Sequence, residues 1–229
     1  MTTTAIVVAA GAGVRMGAGV PKALMPLAGR PMIAWCLDAL AGSGRIDAIV
    51  VVAPPGTEDR MRAAILRLGD LRVVPGGASR SESVREGLAA VPAGVARVLV
   101  HDAARPLMEP ALVGAVLDAL EGVDGAIAAA PVVDTLKRSG PDAVIAATVA
   151  REGLWGAQTP QAFHAPSLRA AVAALDAAGR LGAATDCASI VEAHGGRVRL
   201  VAVATPNLKV TTPADHALAE AILAARGGR

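Results

Sequence analysis

The fold is decided by residues 5–17, which read Ala-Ile-Val-Val-Ala-Ala-Gly-Ala-Gly-Val-Arg-Met-Gly. The stretch begins with a continuous apolar run, which is typical of a strand buried on both faces of a parallel sheet. The glycines that follow let the backbone turn tightly and bring its N–H groups close to a phosphate. The stretch therefore predicts a first strand, Ala5–Ala9, that ends in an anion-binding loop.

The rest of the chain alternates apolar runs with helical patterns. Further strands are predicted at Ala48–Ala53, Arg72–Val74, Arg97–Val100, Gly125–Ala129 and Val198–Val203. Helices are predicted at Pro31–Ala41, Thr57–Leu68, Ser81–Ala90, Pro110–Leu120, Pro166–Ala178, Asp186–His194 and Pro213–Ala225. This alternation predicts a single α/β domain over residues 1–229, with a mostly parallel sheet covered by helices on both faces.

One segment interrupts the alternation. Val132–Arg138 and Ala143–Ala150 are extended stretches joined by Ser-Gly-Pro-Asp at 139–142, which is a hairpin signal. A hairpin added to a sheet that helices already cover has no obvious packing partner in its own domain. We therefore predict a protruding β-arm at about 131–151 that reaches a second subunit.

The composition argues against several classes of partner. Hydrophobic residues make up 53% of the chain, with one Phe and no Tyr, and the net charge is +2 with scattered basic residues. A nucleic-acid surface needs aromatic platforms or clustered cations, so we expect neither DNA nor RNA as a partner. The N-terminus has the pattern of neither a signal peptide nor a membrane span. Cys36 and Cys187 are predicted to be buried, reduced thiols, which suits the cytoplasm.

The glycine loop fits neither of two common phosphate-binding motifs. The dinucleotide fingerprint needs a glycine where Met16 stands, and the Walker pattern needs Gly-Lys-Ser/Thr. What remains is Gly-x-Gly-x-Arg-Met-Gly with Pro-Lys at 21–22, which places Arg15 and Lys22 beside the loop. Nucleotidyl transfer needs such cations, because the α-phosphate and the leaving pyrophosphate gain charge in the transition state. A tight turn with two solvated cations is the alternative interpretation.

Eight motifs run in order across nearly the whole chain. They are Ala-Ala-Gly-x-Gly-x-Arg-Met at 9–16, Pro-Lys at 21–22, Gly-Gly-x-x-Arg-x-x-Ser-Val at 76–84, His-Asp-Ala-Ala-Arg-Pro at 101–106, Asp-Thr-Leu-Lys at 134–137, Arg-x-x-Leu-Trp-x-x-Gln-Thr-Pro-Gln at 151–161, Thr-Asp at 185–186 and Asn-x-Lys-Val-Thr at 207–211. Together they resemble the 2-C-methyl-D-erythritol 4-phosphate cytidylyltransferase family of the non-mevalonate isoprenoid pathway. Ala78 is a departure, because some relatives carry Asp there.

The resemblance implies a Rossmann-like three-layer nucleotidyltransferase fold, with CTP and a sugar-alcohol phosphate as substrates, Mg²⁺ as cofactor and a homodimer formed through the arm. It implies nucleotide contacts from Ala10, Gly11, Ala12, Gly13, Gly77 and Ser83. Catalytic roles fall on Arg15, Lys22, Arg151 and Lys209. The acceptor would meet Asp102, Arg105, Thr135, Arg151, Thr185 and Lys209, with Thr135 and Arg151 supplied by the neighbouring subunit.

Asp102 is expected to be the single metal ligand. It follows the strand Arg97–Val100, where a carboxylate points into the crevice at the carboxyl edge of the sheet. Mg²⁺ binds through few carboxylates, several waters and substrate phosphate oxygens. A helix or turn cap is the alternative for Asp102, and His101 is expected to be a structural hydrogen-bonding residue.

Three alternatives stay open at this point. A ribitol 5-phosphate cytidylyltransferase would share the fold, CTP, the metal and most of the motifs. A transferase that builds a nucleotide sugar or a molybdenum cofactor is allowed by Pro-Lys-Ala-Leu at 21–24. A non-catalytic nucleotide-binding module of the same fold should have lost Arg15, Lys22 or Asp102, and this chain keeps all three.

Overall fold

The computed structural model describes residues 1–11, 20–65 and 71–227. Eleven strands lie in these ranges: β1 Thr3–Val8, β2 Pro26–Leu27, β3 Arg30–Pro31, β4 Ala48–Ala53, β5 Arg72–Pro75, β6 Arg97–Asp102, β7 Gly125–Pro131, β8 Leu136–Ser139, β9 Ile145–Val149, β10 Trp155–His164 and β11 Val198–Ala202. Seven α-helices lie in them as well: α1 Met32–Gly42, α2 Glu58–Ile65, α3 Arg80–Ala90, α4 Pro110–Asp118, α5 Ala165–Ala177, α6 Cys187–Ala193 and α7 Pro213–Gly227. None of the helices in these ranges is long and apolar enough to cross a lipid bilayer.

A central sheet of seven strands has the order β11-β7-β10-β6-β1-β4-β5. Neighbouring strands run parallel, except that β10 is antiparallel to both β6 and β7. The chain moves outward from β1 through β4 to β5, and then crosses back to place β6 on the other side of β1. Because ligands of open α/β sheets bind where the strand order reverses, a site is expected at the carboxyl ends of β1 and β6.

Helices cover both faces of this sheet, as the sequence predicts. Ala5 and Val7 of β1 pack in the layer that contains α1 and α4, while Ile6 packs in the layer of α3, α5 and α6. The layers approach closely, since a Cβ added at Gly87 of α3 would lie 2.6 Å from Cγ2 of Ile6. Small aliphatic side chains therefore suit this three-layer packing.

The predicted strands and helices are confirmed, with shifts of a few residues at their ends. The predicted end of Thr57–Leu68 lies beyond Ile65, outside the described residues. Strand β10 was not predicted, because glycine, glutamine and proline interrupt its apolar residues. The two-residue strands β2 and β3 were also not predicted, because strands so short carry no periodicity.

The arm is a separate antiparallel pair formed by β8 and β9, which confirms the predicted hairpin within narrower bounds. One turn of 3₁₀ helix, Pro141–Ala143, joins the two strands. Val144 is 65% exposed and Ile145 is 61% exposed, and Val133, just before the arm, is 76% exposed. The arm therefore presents apolar side chains that the described part of its own chain leaves uncovered.

Candidate active site

A cavity of about 510 Å³ opens at the carboxyl ends of β1 and β6, where the strand order predicts a site. Among the residues that line it are four that were predicted to bind the nucleotide: Ala10, Gly11, Gly77 and Ser83. Two predicted catalytic residues, Lys22 and Lys209, line it as well. Ala12, Gly13 and Arg15 lie outside the described residues. Every described residue that was predicted to bind the nucleotide therefore lines this cavity.

The loop after β5 shapes one side of this cavity through close backbone packing. A Cβ added at Gly77 would lie 2.4 Å from the Cβ of Glu82, so a larger residue would force a shift there. The Gly77 N–H donates to Ser83 Oγ at 3.2 Å, and the Ser79 side chain accepts from the Glu82 N–H in a capping box. These contacts hold the loop against the first turn of α3 and present its backbone to the cavity.

A second cavity, of about 240 Å³, lies beside the first. Four predicted acceptor residues line it: Asp102, Arg105, Thr185 and Lys209. Arg80, Asp102 and Lys209 line both cavities. We call these three residues the shared wall, because they separate the space predicted for the nucleotide from the space predicted for the acceptor.

Asp102 is the centre of the shared wall and is only 7% exposed. Its Oδ1 accepts from Nε of Arg80 at 2.9 Å and lies 2.9 Å from Nη2 of the same guanidinium, while its Oδ2 accepts from Nζ of Lys209 at 2.8 Å. Burial acts to raise the pKa of this carboxyl, but the charges of Arg80 and Lys209 outweigh burial and hold the pKa well below its usual range. Asp102 is therefore ionised, and each of its oxygens has a cationic partner.

His101 is fully buried and fixes the loop after β6. Its Nε2 lies 3.1 Å from the Arg105 carbonyl oxygen, which can only accept, so Nε2 carries the proton. Its Nδ1 then accepts from the Thr159 hydroxyl at 3.1 Å, and the oxygen of that hydroxyl accepts from the Asp102 N–H at 3.1 Å. The prediction that His101 is a structural hydrogen-bonding residue is confirmed.

The free energy of unfolding is expected to fall as the pH is lowered from about 6.5 to about 4. Burial lowers the pKa of His101 from 6.5 to about 4, so in this window the unfolded chain binds a proton that the folded protein does not bind. Stability that is fully present above pH 6.5 is therefore lost as the pH falls through the window, by about 3 kcal/mol in total.

Urea unfolding at a series of pH values measures this loss in the wild type and in His101→Gln. The variant should lack the component of the pH dependence that His101 supplies. His194→Gln, at an exposed position, is the control and should keep it. The same pH dependence in His101→Gln as in the wild type would contradict the assignment.

Arg105 contributes a third cation to the smaller cavity, beside Arg80 and Lys209. Its Nη1 donates to the Asn207 carbonyl oxygen at 2.8 Å, and its buried Nε has no hydrogen-bond partner among the described residues. The Asn207 side chain donates in turn to Gln158 Oε1 and to the Thr159 carbonyl oxygen, both at 2.9 Å. Burial lowers the pKa of Arg105, but a guanidinium stays charged in a protein. Arg105 is therefore a charged group held at a set position.

Three residues of the site were not assigned from the sequence: Arg80, Thr159 and Asn207. Each belongs to one of the eight motifs, so a signal was present in the pattern. The pattern does not show which side chains pair. Arg80 reaches Asp102 only because the start of α3 and the end of β6 lie at the same edge of the sheet.

Thr135 and Arg151, which were predicted to bind the acceptor, line neither cavity. Both are exposed, and the Arg151 guanidinium donates to the Val133 carbonyl oxygen. Within one chain, the structure therefore does not bring these two residues together with the other predicted acceptor residues.

Asp102 is suited to a metal ion that is held mainly by substrate. Among the residues described, no cluster of three or more His, Cys, Asp or Glu side chains is arranged to hold a metal ion. Mg²⁺ commonly binds through one or two carboxylates together with phosphate oxygens and water. A carboxylate offers about four lone-pair positions, so Asp102 can accept a further contact beyond those from Arg80 and Lys209.

The sequence and the fold are similar to those of one family. A sequence model of the family described as 2-C-methyl-D-erythritol 4-phosphate cytidylyltransferase matches residues 3–225. Proteins of that name from Frankia casuarinae and Cereibacter sphaeroides are 47% and 44% identical, over 96% and 100% of this chain and 80% and 100% of their own lengths. A crystal structure of 4-diphosphocytidyl-2C-methyl-D-erythritol synthase from Anaerococcus prevotii is 28% identical and matches with a TM-score of 0.82, over 97% of this chain and 98% of its own.

Proposed function

Because this chain belongs to the 2-C-methyl-D-erythritol 4-phosphate cytidylyltransferase family, we propose that it joins CTP to 2-C-methyl-D-erythritol 4-phosphate. The products are 4-diphosphocytidyl-2-C-methyl-D-erythritol and pyrophosphate, in isoprenoid precursor biosynthesis. The observation that carries the proposal is the pair of cavities that meet at the shared wall. Transfer between two anionic substrates needs two adjacent sites with cations between them.

The larger cavity is assigned to the nucleotide. Backbone N–H and C=O groups that line this cavity can distinguish cytosine from uracil. They can form hydrogen bonds to the amine and the ring nitrogen of cytosine. Contacts to the base and the ribose are assigned to Ala10, Gly11, Ala12, Gly13, Gly77 and Ser83. Contacts to the triphosphate are assigned to Lys22, which lines this cavity, and to Arg15.

The smaller cavity is assigned to the acceptor. Arg105, Thr185 and Lys209 would hold the acceptor phosphate there, since all three side chains line it. Lys209 lines the larger cavity as well. Its ammonium can therefore contact the acceptor phosphate where that phosphate approaches the nucleotide. The shared wall thus brings the attacking oxygen close to the α-phosphorus.

The proposed reaction is one direct displacement. An oxygen of the acceptor phosphate attacks the α-phosphorus of CTP, and the bond from that phosphorus to the oxygen of the leaving pyrophosphate breaks. The acceptor phosphate is already ionised, so no general base is required. Arg15 and Lys22 stabilise the charge of the transition state and of pyrophosphate, while Arg105 and Lys209 offset the repulsion between the two substrates.

The proposal includes Mg²⁺, with Asp102 as its protein ligand. When bound, the ion supplies positive charge that offsets the charge of the triphosphate. Asp102 is suited to this task because it is ionised at neutral pH and because Arg80 holds its Oδ1 in place.

The proposal also includes a homodimer in which the arm of each chain completes the acceptor site of the other. The exposed apolar residues Val133, Val144 and Ile145 favour this arrangement, because apolar groups on an arm are stabilised when a second chain covers them. It would also explain why Thr135 and Arg151 line neither cavity of their own chain. Each chain would then be one nucleotidyltransferase domain, residues 1–229, with the arm at about 131–151.

Arg151→Ala is expected to raise the KM for 2-C-methyl-D-erythritol 4-phosphate by about 10- to 100-fold, which is the effect of one lost charge-assisted contact to a phosphate. The KM for CTP should change little, because Arg151 is assigned to the acceptor alone. Initial rates of pyrophosphate release at varied concentrations of each substrate measure both constants. Arg138→Ala, an exposed arginine of β8, is the control. An unchanged acceptor KM in Arg151→Ala would remove the support for this role.

The function is tested by following pyrophosphate release from CTP in the presence of Mg²⁺, with 2-C-methyl-D-erythritol 4-phosphate and ribitol 5-phosphate offered in parallel. ATP, GTP and UTP are the nucleotide controls. Turnover is expected with CTP and 2-C-methyl-D-erythritol 4-phosphate. Turnover with ribitol 5-phosphate alone would show that ribitol 5-phosphate is the acceptor. Turnover with another nucleotide would show that the base assigned here is wrong. CTP binding without any turnover would favour a non-catalytic module.

A cytoplasmic location is also part of the proposal. Cys36 and Cys187 are buried and free of disulfide bonds, as the sequence predicts. Burial raises the pKa of both thiols, to about 11 for Cys187, so both stay protonated and unreactive. Such thiols suit a reducing compartment.

A further inference from the structure

Arg80 is the one residue of the shared wall to which the mechanism above gives neither a substrate nor the metal ion. It is the first residue of α3 and lines both cavities. Its Nε and Nη2 each lie 2.9 Å from Asp102 Oδ1, and its Nη1 lies 3.9 Å from Cys187 Sγ. Nε donates to Asp102 and Nη1 lies near Cys187, while the buried Nη2 stays within ion-pair distance of Asp102 without a hydrogen bond among the described residues, so the guanidinium is oriented toward Asp102.

The two cations on Asp102 differ in how firmly they are held. The Arg80 side chain is 22% exposed and approaches Oδ1 with two nitrogens, whereas the Lys209 side chain is 42% exposed and approaches Oδ2 with one. A planar guanidinium makes paired contacts with a carboxylate, while an ammonium on a flexible stem turns easily between partners. Lys209 is therefore the cation that can move from Asp102 to a bound anion.

The charge of Arg80 decides whether Lys209 can make that move. Asp102 is buried, and a buried carboxylate retains its last counter-ion because an unpaired buried charge is costly. With Arg80 present, the wall carries two positive charges and one negative charge, so one positive charge remains for a ligand. Without Arg80, the charges of Lys209 and Asp102 would cancel.

We propose that Arg80 is a positioning residue for the transfer: as the fixed counter-ion of Asp102, it leaves the Lys209 ammonium available to the acceptor phosphate. This inference rests on the proposed function, because it places the acceptor phosphate in the smaller cavity. Arg80 acts through Asp102 and Lys209 and contacts neither substrate.

Arg80→Gln is expected to raise the KM for the acceptor by about 10- to 100-fold, because Lys209 then stays on Asp102 and its charge-assisted contact to the phosphate is lost. The KM for CTP should change little. Arg80→Lys restores a positive charge without the two-nitrogen contact and should recover part of the loss. Arg85→Gln is the matched control on the same helix, since Arg85 pairs with Glu86 and Asp176 away from both cavities.

A binding measurement separates this role from a general structural one. Calorimetric titration of the acceptor into Mg²⁺-free protein saturated with α,β-methylene CTP gives the acceptor affinity without turnover and without the charge of a metal ion on Asp102. Adding Asp102→Asn to Arg80→Gln removes the charge that retains Lys209. The double variant is therefore expected to bind the acceptor more tightly than Arg80→Gln alone. A merely structural role predicts that the second substitution leaves the affinity unchanged or lowers it further.

The inference is overturned if Arg80→Gln keeps the wild-type acceptor KM, or if the double variant binds the acceptor no better than Arg80→Gln. If circular dichroism shows that Arg80→Gln does not fold, the same comparison with Arg80→Lys, alone and combined with Asp102→Asn, decides the question. Failure of the proposed function gives a different result. The wild-type protein would then release no pyrophosphate from CTP and 2-C-methyl-D-erythritol 4-phosphate, which would overturn both.

Discussion

Lys22→Ala is expected to lower kcat by about 10²-fold or more, the scale of a lost transition-state contact. Lys22 lines the larger cavity and begins a turn of 3₁₀ helix, Lys22–Leu24, which sets its backbone at the cavity edge. In the proposed mechanism its ammonium meets the α-phosphate and the leaving pyrophosphate, whose charge grows as the bond breaks. A contact that strengthens in the transition state affects kcat more than KM.

Pyrophosphate release with both substrates saturating measures this effect directly. Arg45→Ala is the control, because it removes a cation that pairs with Asp118 and lines neither cavity. The control should keep the wild-type kcat. A Lys22→Ala enzyme with nearly wild-type kcat would contradict the mechanism.

Asp102→Ala is expected to lower the free energy of unfolding by about 3 kcal/mol or more, the cost of leaving a buried pair without one partner. The substitution leaves Arg80 and Lys209 as like charges without the carboxylate between them. It also removes the proposed magnesium ligand, so kcat is expected to fall by about 10²-fold or more. Urea unfolding and pyrophosphate release measure the two effects separately.

The control for this loss of stability is Asp118→Ala. Asp118 pairs with Arg45 at 2.7 Å, but its side chain is 67% exposed. An exposed pair contributes less than about 1 kcal/mol, so the control should lose little stability. Equal losses of stability in the two variants would contradict the role given to the shared wall. Full activity in Asp102→Ala would contradict its part in the transfer.

Much of the fold could be predicted because most strands of the sheet are buried on both faces. The runs in β1 and β4 are apolar over several positions, which is the pattern of such strands. Strand β10 has no such run, because Gly156, Gln158 and Pro160 interrupt it. Its antiparallel place between β6 and β7 depends on contacts between distant segments, which local periodicity does not specify.

The sequence predicts which residues form the site better than it predicts which of them contact one another. The motifs place Gly77, Asp102 and Lys209 in the chain, and the structure brings all three to one cavity. The pairing at Asp102 is not visible in any spacing, since Arg80 is 22 positions away and Lys209 is 107 positions away. Arg80 meets Asp102 because the crossover from β5 to β6 contains α3 and returns the chain to β1. Lys209 lies beside them because the Val210 N–H donates to the Ala104 carbonyl oxygen at 2.8 Å.

The central claim is a direct transfer of the cytidylyl group from CTP to the acceptor phosphate across the shared wall. A single diastereomer of CTP with sulfur on the α-phosphorus tests it, when the configuration of the product is determined by phosphorus NMR. One in-line displacement inverts the configuration at that phosphorus, so inversion is the predicted result. Retention would require two displacements through a covalent enzyme intermediate and would contradict the account.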